Sequence, residues 1–243
     1  MEQDTTQLKK RFSELSRRAD DRGYAVYSDF LTLAEQSVLL SELPYTELCG
    51  GYPAAERKLA CFGESWGAEP PTVWIKIAPI SQKFADKLTH RDFLGALVGL
   101  GIKREVLGDI IIYENCGYLY CLESISEFIT SELSQVKRTS VRCEITNAPP
   151  ESSVSLPEED KLPVASERLD ALVSAVFKLS RTESQALFEA ELVFVNSRTA
   201  KRPSAEPNVG DIVSVRGHGR FIYEGPCGQT KKGRLWVNVR IYK

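Results

Sequence analysis

Only two histidines occur in this 243-residue chain, and no two of its six cysteines stand in C-x-x-C spacing. A structural metal site needs closely spaced thiolate or imidazole ligands, so no bound metal is expected. Cys49, Cys61, Cys116, Cys121, Cys143 and Cys227 fall mostly in apolar, strand-like runs, where a reduced thiol packs as a small hydrophobe. No apolar run approaches the ~18 residues that cross a bilayer. The start, Met1-Glu2-Gln3-Asp4, is polar and acidic, with no leader pattern behind it. A cytoplasmic location without membrane contact is the expectation. Phosphate-cradling G-x-x-x-x-G-K-[ST] is missing, and no G-x-G-x-x-G follows a strand pattern. Methyltransferase and synthetase motifs are missing too. His90-Arg91-Asp92 mimics a kinase tripeptide, but the Gly-rich loop and strand lysine that such chemistry needs are absent. No catalytic residue and no cofactor are expected.

What the chain does have is a hidden charge asymmetry. Its net charge is −2, yet residues 161–243 hold 14 Lys and Arg against 8 Asp and Glu, and the remainder holds 17 against 25. A basic C-terminal module on an acidic body points to a polyanion partner for that module. The length suits two or three small domains.

Local patterns divide the chain. Residues 1–55 read as mostly helical: Leu8, Phe12 and Leu15 form one stripe, and a second helix follows Thr32. Gly50-Gly51-Tyr52-Pro53 breaks the pattern. Residues 56–147 alternate, with strands predicted at 58–62, 72–78, 109–114, 118–122 and 139–145. Helices are predicted at 89–100 and 124–133, the second with Ile125, Phe128 and Ile129 inward. From Thr72 the order is βαββαβ, a ferredoxin-like, RRM-like arrangement within an α+β fold. Tyr118 and Tyr120 share a face of a central strand, where RRM proteins stack bases, but the basic, Gly-rich RRM signature is missing. Residues 148–163 are acidic and Pro-containing and read as a semi-extended linker of about 15 residues, free to let the last module reorient.

The last module, 164–243, opens with Ser166-Glu167-Arg168-Leu169-Asp170. Leu169, Leu172, Val173, Val176 and Phe177 make one apolar helix face, and Arg168 and Lys178 lie off its centre. After Leu179, Ser180 can cap a second helix whose outer face carries Arg181, Gln185 and Glu189. A strand and a turn at Val193-Phe194-Val195-Asn196 follow, then Gly210-Asp211-Ile212-Val213-Ser214-Val215. This order resembles the two-helix motif of the S-four RNA-binding domain, named after small-subunit ribosomal protein four. Two further stretches resemble YlmH-type RNA-binding proteins: Gly50-Gly51-Tyr52-Pro53-Ala54-Ala55-Glu56-Arg57-Lys58, and His90-Arg91-Asp92-Phe93-Leu94-Gly95-Ala96-Leu97-Val98-Gly99-Leu100-Gly101-Ile102-Lys103-Arg104-Glu105 with Leu107-Gly108-Asp109. With the last module, the resemblance spans nearly the whole chain. It implies a helical N-terminal region, an RRM-like middle domain and a small α+β S-four domain.

Functionally, the resemblance implies association with the large ribosomal subunit in ribosome-associated quality control of stranded peptidyl-tRNA. The older association of the family is with cell division. The RNA-contact pattern carries over to Arg168, Asp170, Ser180, Arg181, Gln185 and Asn196. Lys178, Lys201 and Arg202 add phosphate attraction. Arg168 near Arg181 would bring two guanidinium forks to neighbouring phosphates. Asp170 either orients an arginine, meets a base edge or 2′-hydroxyl, or is a helix N-terminal carboxylate. Asn196 is either a contact or a turn residue. Lys231, Lys232 and Arg234 are either a second contact or a solvated hairpin. Arg91, Lys103 and Arg104 form a possible contact surface on the middle domain. One departure stands out: Glu191-Leu192 occupies positions where the family commonly has Gly and a basic residue, which makes a left-handed helix stop less comfortable.

The expectation is a non-catalytic binder of ribosomal RNA and/or tRNA on the large subunit, monomeric when free. The alternative is a protein-interaction adaptor, for example in division. An RNA-modifying enzyme is a distant third: Arg168-Leu169-Asp170 echoes pseudouridine synthases, but it sits at a helix start with no large catalytic domain around it.

Overall fold

The structure is a computed structural model and describes every residue except 1, 66, 68, 155, 156, 232 and 243. Lys232 of the final hairpin therefore lies outside the described residues. The chain divides into two compact units, Met1–Ser155 and Leu156–Lys243.

The first unit opens with α1 (Glu2–Arg22), β1 (Val26–Tyr27), α2 (Leu33–Glu42), β2 (Glu47–Cys49) and β3 (Leu59–Phe62). Phe12 is buried, with Leu8 and Leu15 packed beside it against Val38, Leu39, Ala60 and Phe62. Thr32 caps α2 reciprocally with Glu35, satisfying N–H groups the helix start would otherwise leave unpaired. The region is less helical than its sequence suggests. β1, β3 and β2 form a three-stranded antiparallel sheet, so residues 59–62 pair here and not with the middle sheet. Strands of two or three residues are too short to show an alternation in sequence.

The same unit continues through β4 (Thr72–Pro79), α3 (His90–Gly99), β5 (Leu107–Tyr113), β6 (Cys116–Leu122), α4 (Ser126–Glu132), β7 (Gln135–Val136) and β8 (Thr139–Thr146). The sheet order β5-β6-β4-β8-β7 is antiparallel throughout, a ferredoxin-like pattern with one short added edge strand. Glu114 and Asn115, both at positive φ, make the two-residue turn between β5 and β6. One sheet face packs Ile75, Ile77 and Leu119 against Phe93, Leu97 and Ile129 of the helices. Gly117 is where Phe93 crosses the sheet: a Cβ there would come within 2.8 Å of its ring. Phe128, expected inward, is 43% exposed, because the short α4 buries only the stripe through Ile129.

The second unit holds β9 (Glu158–Val164), α5 (Leu169–Phe177), α6 (Arg181–Glu189), β10 (Val193–Val195), β11 (Arg198–Thr199), β12 (Ile212–Val215), β13 (Gly219–Gln229) and β14 (Leu235–Tyr242). Its six strands run in the order β11-β10-β12-β13-β14-β9. Leu169, Leu172 and Val173 of α5 and Phe188 of α6 are buried with Phe221, Tyr223, Val237 and Val239 of the sheet. The linker expected over 148–163 is shorter than the sequence suggests. Residues 158–163 belong to β9, which pairs with β14 from Glu158↔Ile241 to Val164↔Leu235. An edge strand tolerates Pro163, and its charges and proline keep the outer edge from pairing further.

Candidate nucleic-acid interface

The start of α5 builds the most distinctive site. Arg168 is its N-cap residue. Its Nε and Nη2 donate to the two carboxylate oxygens of Asp170 at 3.0 and 2.6 Å. This bidentate pairing holds the planar guanidinium in one orientation and pushes the Arg168 pKa up. The Asp170 side chain is only 6% exposed and also accepts the Ala171 N–H at 2.9 Å. Asp170 therefore both orients an arginine and serves the helix start. Ser184 of α6, fully buried, donates to the Asp170 carbonyl at 3.0 Å and locks the two helices together. The Leu169 and Asp170 N–H groups donate to the carbonyls of Ala205 and Pro203. That places the exposed Lys201 and Arg202 beside the same helix start.

Small residues on α5 (Ala171, Ser174 and Ala175) leave a groove of about 600 Å³, which Arg168, Asp170, Arg181 and Arg234 also line. Arg181 is the first residue of α6 and is exposed. Arg234 arrives from the start of the last strand, far along the chain. Its sequence signal was only a basic hairpin, and no spacing rule links it to the helix pair. Ser184 had no signal beyond a small polar residue among apolar ones.

The remaining candidates divide by what their side chains already do. Ser180 caps α6: its Oγ accepts the Glu183 N–H at 3.2 Å, while Glu183 accepts the Ser180 N–H at 2.7 Å, which lowers the Glu183 pKa. Asn196 is a turn residue at φ 47°. Its amide donates to Asp211 at 2.7 Å and accepts the Ile212 N–H at 2.9 Å, so its polar atoms hold β10 to β12. Lys178 ends α5 in the left-handed region at φ 55° and is exposed, as is Gln185, one turn beyond Arg181. Lys178, Ser180, Gln185, Asn196, Lys201 and Arg202 do not line the groove.

In the first unit, Arg91, Lys103 and Arg104 are exposed, and Lys103 lies 3.5 Å from Glu105. Burial and the nearby Arg104 charge hold His90 below the ordinary histidine pKa. The stretches around Gly50 and Asp109 meet in a structural hub. Asp109 accepts from the Tyr52 hydroxyl (3.0 Å) and from the N–H groups of Glu56 (2.7 Å) and Arg57 (3.1 Å). Arg57 donates to the carbonyls of Leu107, Phe30 and Arg104. This hub lays the N-terminal segment over the sheet face opposite the helices. Phe30 meets Tyr120 edge-on at 5.6 Å, and Trp74 lies 4.9 Å from Tyr120. A Cβ on Gly51 would come within 2.6 Å of Trp74. Trp74 and Tyr120 are consequently 5% and 8% exposed, Tyr118 of the same cluster is 7% exposed, and base stacking of the RRM kind has no open ring there.

These features define the class: a two-unit α+β protein, with a ferredoxin-like domain in one unit and an arginine-lined groove in the other. A family model described as "Putative RNA-binding domain in YlmH" matches residues 74–149. The Bacillus subtilis (strain 168) protein named "Ribosome-associated protein quality control protein P2" is 32% identical over 227 residues, covering 89% of this chain and 87% of that one. The chain belongs to the YlmH family. A solved structure, "Cell division protein ylmH from Streptococcus pneumoniae", is similar at a TM-score of 0.48 and 18% identity, over 63% of this chain and 95% of that one. No described helix is long and apolar enough to cross a membrane.

Proposed function

We propose that this protein is a non-catalytic RNA-binding factor of the large ribosomal subunit. It contacts ribosomal RNA and/or tRNA during quality control of stalled peptidyl-tRNA, in the cytoplasm, and is monomeric when free. The observation that carries this reading is the groove in which Asp170 presents Arg168 beside Arg181 and Arg234. Asp170 occupies Nε and one N–H of Nη2, which leaves the rest of the guanidinium to donate to phosphate. Because the arginine is already held in one orientation, less side-chain freedom is lost on binding. Residues 164–243 act in this reading as an S-four-type module, supported by the helix pair followed by the strand and the Asn196 turn. Lys178, Lys201 and Arg202 add attraction without choosing a sequence. Gln185 is left as an exposed polar contact next to Arg181. Ser180 and Asn196 support the module through the cap and the turn. Arg91, Lys103 and Arg104 are a second candidate surface. The name of the Bacillus subtilis relative, a ribosome-associated quality control protein at 32% identity, supports the ribosomal setting.

Sedimentation of lysate through a density gradient tests this. Wild type is expected with free large subunits, and Arg168→Glu/Arg181→Glu at the top. A wild-type protein that stays at the top at low salt, with translation stalled, overturns the proposal in favour of a protein-interaction adaptor.

A further inference from the structure

With the sheet face closed, the middle domain's most exposed apolar side chains lie elsewhere. Phe84 is 81% exposed and Ile80 70% exposed, both in the segment between β4 and α3. The segment is not loose. The Ile80 N–H donates to the Ser140 carbonyl at 2.9 Å, and the Asp86 N–H donates to Thr139 Oγ1 at 2.9 Å. Asn115 accepts from the Leu88 N–H at 2.8 Å and donates to the Asp86 carbonyl at 2.9 Å. These bonds set the segment against the start of β8, where Arg142 pairs with Ala78 in register.

The charge around it is of one dominant sign. Lys83 lies 5.5 Å from the Phe84 ring centre. Lys87, Arg138 and Arg142 are exposed and form no ion pair among the described residues, whereas Lys76 and Lys137 are paired with Glu144 and Asp92. The carboxylates nearest in chain or register are Asp86, Glu114 and Glu144, the last taken up by Lys76. A firmly held, solvent-facing aromatic ring among unpaired cations is the arrangement that binds unpaired nucleotides: the ring stacks a base and the cations follow the phosphates.

We propose that the β4–α3 segment is a single-stranded RNA contact, with Phe84 stacking an unpaired base and Lys83, Lys87, Arg138 and Arg142 holding the flanking phosphates. It rests on the RNA-binding reading above, but at a different surface from the arginine groove. A protein partner would want the apolar residues and has no use for four cations unless it is acidic.

The test is fluorescence anisotropy of the full-length protein with a short labelled oligouridylate across a salt series. Phe84→Ala is expected to weaken binding by roughly tenfold, with Phe84→Tyr retaining it. Arg138→Glu/Arg142→Glu is expected to reduce the slope of log affinity against log salt by about 1.4. Arg168→Glu/Arg181→Glu is expected to keep the Phe84-dependent part of oligonucleotide binding, which separates this site from the groove. Wild-type affinity and slope in both the Phe84→Ala and Arg138→Glu/Arg142→Glu proteins overturn the proposal. So does a wild-type protein that sediments with large subunits but ignores the oligonucleotide, which would assign this end to a protein partner.

Discussion

Arg168 and Asp170 are two residues apart and act as one group. The carboxylate is buried and bidentate, so removing it frees the arginine to wander while leaving its charge in place. Asp170→Ala is expected to lower RNA affinity by about tenfold, the scale of one charge-assisted contact. Arg168→Ala added to Asp170→Ala should cost far less than Arg168→Ala alone. A double-mutant cycle by filter binding measures this coupling, and strict additivity would show that Asp170 does not orient the arginine. The sequence pointed to Arg168, Asp170 and Arg181 through the resemblance of its helix pair to the S-four motif. It could not place Arg234, whose position depends on how the last hairpin packs.

Helix ends were the most legible elements. Thr89 and Asp92 form a reciprocal cap on α3, and Gly101 follows it at φ 82°. The Thr89 hydrogen bonds, then Lys137, hold the Asp92 pKa down at about 2 from 3.8. A carboxylate with a depressed folded pKa stabilises the fold fully above its ordinary pKa, and that contribution fades as pH falls towards the folded value. Wild type should therefore lose more urea resistance than Asp92→Asn between about pH 5 and pH 2. At the other end of the chain, Glu191 sits after α6 in the left-handed region at φ 55°, as the unusual residue choice there suggested. Glu191→Gly should raise unfolding stability by about 1 kcal/mol, and Ser180→Ala should lower it by about 1 kcal/mol. Urea melts check both, and no change in the Glu191→Gly midpoint would mean that the turn carries no strain. Elements made by pairing were hard to read. β1 and β2 are too short to alternate, and β9 looked like a linker because its acidic residues and Pro163 suit an edge strand as well as a coil.

The whole molecule is nearly neutral at −2 yet carries its basic excess in the last third. RNA binding should therefore fall steeply with salt despite the overall charge. Anisotropy between about 50 and 200 mM salt reads this, and a flat response would exclude phosphate contacts as the main source of affinity. The second unit has its own core around Phe221 and Tyr223. Burial, then the adjacent Glu167 carboxylate, pushes the Tyr223 hydroxyl pKa up, and their hydrogen bond ties the approach to α5 to β13. A fragment of residues 157–243 should unfold in a single cooperative urea transition, and a fragment without one would show that the unit depends on the rest of the chain.

The sequence alone determined what is local: helix faces, caps, the βαββαβ order and the basic module, because periodicity and hydrogen-bonding end residues act over a few positions. Only the tertiary structure decided that Tyr120 is closed off beneath the N-terminal segment and Tyr118 is buried in the same cluster, that residues 158–163 complete a sheet, and that Arg234 joins Arg168 and Arg181. Each of these depends on partners distant in the chain, and side-chain exposure and edge pairing are properties of the packed fold and not of local spacing.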